Sequence, residues 1–258
     1  MARIESGVID LAPTEHQMKH NSGLAAFGMG RRLQHRHHGQ QESGTLGHLC
    51  RVILFVIISL GLMRPAQAMP DMAAQLADLE RQWAKVSYQT PPADQKEAFR
   101  LLVQQAERIS QDFPGQAEPL AWRGMILCSF AEATGGLKAL DDVTQARDLF
   151  LQAKRINDHV LNGTIDGYLG TLYYKVPPWP VGFGDDKKAQ RYFQQALNLN
   201  PTGIDPNYLY GHYLADQGKK REARNYLTRA LQVPIRPDHA DYDAGRRIDI
   251  NAALATTN

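Results

Sequence analysis

The stretches KKAQRYFQQALNLNP, Lys187–Pro201, and REARNYLTRALQVP, Arg221–Pro234, decide the fold. Each closes on Ala-Leu, and the two pairs, Ala196-Leu197 and Ala230-Leu231, stand 34 residues apart. Ala189, Phe193 and Ala196 of the first correspond to Ala223, Leu227 and Ala230 of the second. The same small-x3-large-x2-small spacing returns at Ala146, Phe150 and Ala153, and more loosely in FRLLVQQAERI, Phe99–Ile109. Steps of four and three put such residues on one helix face. Small side chains there let the helix lie close to a neighbour, and the large one fills the gap between pairs. A pair of helices alone leaves an apolar face bare, so pairs repeating with this period must stack.

The preceding helices fit the same scheme. Gly211 lies 12 residues before Ala223, with Gly218 at the turn between them. Gly170 lies 19 before Ala189, and the surplus of 7 is the length of PPWPVGF, Pro177–Phe183. Gly124 lies 22 before Ala146, a surplus of 10. One repeat is therefore regular and two carry enlarged turns, EATGGLKALDD (Glu132–Asp142) and KVPPWPVGFGDD (Lys175–Asp186). Helices are predicted near 71–88, 94–112, 117–133, 142–156, 163–176, 186–199, 206–217, 219–232 and 240–254, with no strand-like alternation. The fold class is all-α: a solenoid of helical hairpins with two enlarged turns and a C-terminal capping helix. Insertions of this kind fall along one edge of a solenoid, where function is sought first. The last segment, PDHADYDAGRRIDINAALATTN, keeps apolar helical spacing at Ala244, Ile248 and Ala252 and is otherwise polar, as a terminal cap requires.

Residues 1–68 have another character. VILFVIISLGLM, residues 52–63, is an unbroken apolar run preceded by Arg51 and followed by Arg64, Pro65 and Ala66-Gln67-Ala68. A positive flank, an apolar core and a small-x-small site make residues 51–68 a signal peptide, with cleavage after Ala68 and export to the periplasm expected. Twelve apolar residues fall short of the ~20 that span a bilayer, though a retained N-terminal anchor is the alternative. Residues 1–50 are rich in Gly, His, Gln and Arg without apolar periodicity, and read as a disordered or mis-started leader, with Met29 a candidate start. His35, His37 and His38 could hold a metal, but no carboxylate or Cys partners stand at ligand spacing. Residues 69–258 form the helical domain.

Charge and cysteine exclude several classes. The whole chain has 29 basic and 27 acidic residues, but past residue 68 the balance is 22 to 23, so no basic face for nucleic acid is expected. Of two cysteines, Cys50 precedes the apolar run and Cys128 stands alone after it, which excludes a disulfide framework and a lipid-anchored first residue. Membrane contact is expected only through the signal segment.

A 34-residue period with this pattern resembles the tetratricopeptide repeat. The run LGTLYYKVPPWPVGFGDDKKAQRYFQQALNLNPTGIDPNYLYGHYL, within a match over roughly 120–233, is similar to exported bacterial proteins of this kind, in particular the T component of TRAP-type periplasmic transporters. The positions carrying the likeness are Leu169, Gly170, Tyr173, Pro177, Pro178, Gly184, Asp185, Lys188, Ala189, Phe193, Tyr210 and Tyr213. The resemblance implies helical assemblies with apolar pores or pockets for ligand uptake, and a transporter solute-binding protein or small apolar ligand as partner. The chain departs from it in Gly182-Phe183-Gly184-Asp185, where a plainer Gly-Gly-Asp is expected. The architecture itself implies a scaffold holding a protein or peptide in its concave groove.

Catalytic signatures are missing: there is no G-x-S-x-G, H-E-x-x-H, C-x-x-C or P-loop. No enzyme activity, metal or cofactor is expected. Asp185 reads as a helix cap, since a carboxylate at a helix start accepts orphan backbone N–H groups, a contribution of about 1 kcal/mol. Lys219, Lys220, Arg221 and Arg224 read as a solvated helix start, and Arg246 and Arg247 carry no signal. Trp179 and Phe183 are open to two readings: they fold back onto Tyr173, Tyr174 and Tyr192 and seal the hairpin, or they wall a pocket for an apolar ligand. Tyr173, Trp179, Phe183, Tyr210 and Tyr213 are the candidate contact residues. Gly170, Ala189, Phe193, Ala196, Gly211, Ala223, Leu227 and Ala230 are assigned to repeat packing.

Overall fold

A computed structural model describes residues 71–257; the expected leader, its His tract and the signal segment lie outside the described residues. The described chain forms α1 (Met72–Gln89), α2 (Pro92–Asp112), α3 (Ala117–Thr134), α4 (Gly136–Ile156), a 3-10 turn (Val160–Gly163), α5 (Thr164–Lys175), α6 (Asp186–Leu199), α7 (Ile204–Asp216), α8 (Lys220–Gln232), a second 3-10 turn (Pro237–His239) and α9 (Ala240–Ala255). No strand occurs among the described residues. The helices pair as α1/α2, α3/α4, α5/α6 and α7/α8, and the pairs stack into an all-α, tetratricopeptide-like solenoid. None of these helices is long and apolar enough to cross a membrane.

Three hairpins share one contact. A Cβ on Gly124 of α3 would fall 2.5 Å from the Phe150 ring of α4, one on Gly170 of α5 2.8 Å from Phe193 of α6, and one on Gly211 of α7 2.9 Å from Leu227 of α8. Phe150, Phe193 and Leu227 are almost wholly buried, and the alanines beside them, Ala146, Ala153, Ala189, Ala196, Ala223 and Ala230, are fully buried. The small-large-small pattern is thus the second helix's face pressed onto a glycine of the first.

All nine expected helices are present. The largest difference is at the first insertion, where α4 begins at Gly136 and not near 142. Gly135 and Gly136 have φ of 64° and 67° and reverse the chain within two residues, a geometry that costs other residues strain. Ala139 and Val143 then continue the buried face of α4 backwards. The surplus residues therefore lengthen the helices instead of forming a loop.

The terminal helix also differs from expectation. Ala244, Ile248 and Ala252, the spacing read as its packing face, point to solvent. Tyr242, Asp243, Gly245, Arg246, Ile250 and Ala253 are buried. What selects this face is the surface α9 lies on, which is aromatic and acidic.

Gly170→Ala should destabilise the domain although Ala is the better helix former by ~1 kcal/mol, because its methyl group collides with a buried ring, and overpacking costs ~1–3 kcal/mol. Denaturant midpoints should fall for Gly170→Ala and partly recover in Gly170→Ala/Phe193→Leu.

Candidate functional site

The expected contact residues fall in two environments, and the structure adds a third. The first is the loop between α5 and α6, which is fastened at its base. Asp185 N–H donates to Tyr173 O at 2.9 Å, Gly184 N–H to Pro177 O at 2.9 Å, and Val181 and Gly182 N–H to Pro178 O at 3.2 Å. A Cβ at Gly184 would lie 1.9 Å from Val176 O, so only glycine permits this closure. Asp185 stands at the N-cap of α6 and accepts from Lys188 N–H at 3.0 Å, a bond that holds its carboxyl below the usual carboxylate range. Phe183 turns inward, edge-on to Tyr173 at 5.5 Å, with the Arg147 guanidinium 4.3 Å above its ring. Tyr173 stacks on Tyr192 at 5.5 Å.

Trp179 does the opposite. Its side chain is 85% exposed, and Val181 beside it is 55% exposed. Phe183 therefore folds back onto Tyr173, while Trp179 stands clear of the protein on a loop whose base is tied down.

The second environment holds Tyr210 and Tyr213, and it is internal packing. Tyr213 stacks on Phe193 at 4.8 Å and meets Tyr174 edge-on at 4.9 Å, while Tyr210 meets Tyr226 edge-on at 4.8 Å. No contact joins these residues to Trp179 in the described structure.

The third environment is the inner face of the stack, and here the structure adds residues that sequence reasoning passed over. The first helices of all four hairpins contribute to it, and α9 lies along it. Tyr242 tilts over Trp83 of α1 at 5.2 Å and meets Trp122 of α3 edge-on at 6.2 Å. Arg246 is buried. Its Nε donates to Asp205 of α7 at 2.8 Å, its Nη2 to Tyr242 Oη at 2.9 Å and to Tyr168 Oη of α5 at 3.3 Å, and its Nη1 to Asp249 at 3.2 Å. The guanidinium also lies 4.8 Å from the Tyr208 ring. Asp205 accepts in addition from Tyr242 Oη at 2.8 Å and Thr164 Oγ1 at 3.2 Å, and Tyr88 of α1 donates to Asp249 at 2.7 Å. Burial holds the Tyr168 hydroxyl protonated, pushed up to about 12, so it stays neutral beside the carboxylates. Arg247 ends its reach on the last carbonyls of α8, Leu231 O at 2.8 Å and Val233 O, groups that a helix leaves without partners.

The chain's own α9 lies against the inner face, where a protein or peptide partner is expected from the architecture. The one signal available in the sequence was Tyr242-x3-Arg246-x2-Asp249, which sets three polar groups on one helix face. Beside the N-terminal end of α9 a cleft of ≈ 200 Å³ remains, lined by Glu80, Trp122, Asn162, Asp205, Arg236 and His239, among others. Leu161 and Asn162 at its edge both have a φ of 49°, a left-handed conformation uncommon outside glycine. Among the described residues no group of His, Cys, Asp and Glu is placed to hold a metal.

With α7 and α8 described, the comparison with protein families can be placed on them. Residues 204–234 match the tetratricopeptide repeat model. The chain contains a tetratricopeptide repeat. The matched segment runs from the first residue of α7 through α8 and takes in both Gly211 and Leu227. No curated protein matches the chain. The repeat suggests a protein–protein interaction scaffold, and repeats of this kind generally bind protein partners; proteins built from them are typically non-enzymatic.

At the far end of the groove Lys175 of α5 and His212 of α7 both reach Asp216. Burial alone would raise that carboxyl, but the hydrogen bonds and charges of His212 and Lys175 override it and hold it at about 2, below its ordinary 3.8. A depressed carboxylate contributes stability above its unfolded pKa and loses it as pH falls through the folded value. Asp216→Asn should therefore cost about 1 kcal/mol near neutral pH, since solvent screens this partly exposed group. The difference from the parent chain should shrink as denaturation is followed from pH 4 towards pH 2.

Proposed function

We propose that the protein is an exported, periplasmic adaptor with no catalytic role, and that it engages a protein partner through the edge loop between α5 and α6. The export reading rests on residues 51–68, with their Arg51 flank, apolar core and Ala66-Gln67-Ala68 site. The observation that carries the choice of surface is Trp179. A tryptophan 85% exposed, on a loop closed at its base by backbone hydrogen bonds, loses little conformational freedom on binding and brings a large apolar area to an interface. Val181 and, at the start of the neighbouring α4, Leu137 are also exposed, while Gly182 packs towards Leu140 one turn further along α4.

A second reading follows from the likeness to the T component of TRAP-type transport systems: a ligand-binding accessory acting with a solute-binding protein. The ≈ 200 Å³ cleft beside α9 is the feature in its favour, and its lining mixes Trp122 and Tyr242 with Glu80 and Arg236, which suits a small ligand with both apolar and charged parts. The two readings separate by site, because the cleft lies against α9 and the projecting tryptophan on the edge loop.

A photo-crosslinking amino acid placed at position 179 of the full chain in cells should give a discrete adduct that the same probe at exposed Leu101 of α2 does not. In the same preparation the periplasmic form should begin at Met69. Equal labelling at the two positions, with small-molecule titrations that quench Trp122 fluorescence instead, would move the assignment to the transport reading. Recovery of the chain with residues 1–50 attached would overturn export.

A further inference from the structure

We infer that the inner face of the hairpin stack is a helix-recognition groove, that α9 is its ligand in cis, and that the groove fits a partner-protein helix bearing an aromatic residue, an arginine four positions later and a carboxylate three after that. This goes beyond the edge-loop reading and does not depend on it.

The interface chemistry is the first ground. The joint between α9 and the hairpins is made by Trp83, Trp122, Tyr168, Tyr208, Tyr242 and Arg246, with Gly245 pressed onto the Tyr88 ring. Tryptophan, tyrosine and arginine dominate the energetics of interfaces between separate molecules. Five charged side chains are buried in the described chain, and four of them, Glu80, Asp205, Asp243 and Arg246, sit at this joint. Buried ion pairs add little net stability over an apolar equivalent, but they penalise any occupant lacking the matching charge. The groove is thus built to discriminate among helices.

Topology is the second ground. α9 is joined to α8 by a segment in which Pro234–Asp238 are exposed, so the connection itself is not packed into the hairpins. Its aliphatic packing rests on Ile250, Ala253 and the partly buried Leu254, which join Ile204, Leu227 and Ala230 in a small cluster, while Tyr242 is the residue of α9 that reaches the main core. The glycine-to-large contacts that close the three hairpins involve no residue of α9.

The test keeps the whole chain. A site-specific protease sequence inserted at Ile235 allows α9 to be severed after folding, and a fluorescent peptide of residues 236–258 is then offered to the cleaved protein. The expected result is saturable uptake with the helical signal of the hairpins retained. An Arg246→Ala peptide should bind at least ten-fold more weakly, and an Ile248→Ala peptide, altered on the outward face, should bind as the parent does. A helical peptide of unrelated sequence keeping only Tyr242, Arg246, Asp249 and Ile250 should compete, whereas the same peptide without the arginine should not. Collapse of the hairpin signal when α9 is exchanged, failure of the parent peptide to enter, or equal binding of the Arg246→Ala and Ile248→Ala peptides would overturn the inference by showing α9 to be ordinary core.

Discussion

The distance between a glycine and the large side chain facing it governs this molecule. In α3/α4, α5/α6 and α7/α8 the first helix offers bare backbone where the second presents Phe150, Phe193 or Leu227, and the fit leaves no room for a methyl group. Close-packed interiors transmit such constraints, because a shift at one contact displaces the next layer. The hairpin angle is set there, the angle sets how successive pairs stack, and the stacking brings the four first helices onto one inner face. What joins the two helices is free by comparison, so seven surplus residues form the edge loop of α5/α6 and ten extend the helices of α3/α4 without breaking the repeat.

That inner face has its own demand. Asp205 lies buried at the start of α7, where an unpaired carboxylate would be costly. Arg246, Tyr242 and Thr164 supply its hydrogen bonds, so the charge is met by groups from α9 and α5 together. α9 therefore turns a mixed face inward, Tyr242, Ile250 and Ala253 together with Asp243 and Arg246, and leaves Ala244, Ile248 and Ala252 outward.

The repeat was legible because it rests on local periodicity: Ala189, Phe193 and Ala196 carry their own spacing, and Gly170 and Gly211 stand at fixed offsets from it. The extension of α4 back to Gly136 was not, since a Gly-Gly pair inside a polar stretch reads as a loop until Ala139 and Val143 are seen to share a face with the rest of the helix. The role of Arg246 was out of reach for a different reason. Its partners Tyr242 and Asp249 stand at helical spacing within α9, but Asp205 and Tyr168 come from α7 and α5, and nothing in the sequence of α9 places them beside it. Phe183 and Trp179 sit four residues apart and look alike in the sequence, yet one packs against Tyr173 and Arg147 and the other projects into solvent from a loop closed at Gly184.

The edge loop separates what the fold must keep from what it can vary. Gly184, Phe183 and Asp185 are fixed by contacts under the loop, and a change at any of them reaches α5 and α6. Residues 179 and 181 meet mostly water, so substitutions there leave the fold as it is. Related chains could thus drift at the tip while conserving the base, and acquire new binding preferences from two side chains without re-solving how the hairpin folds.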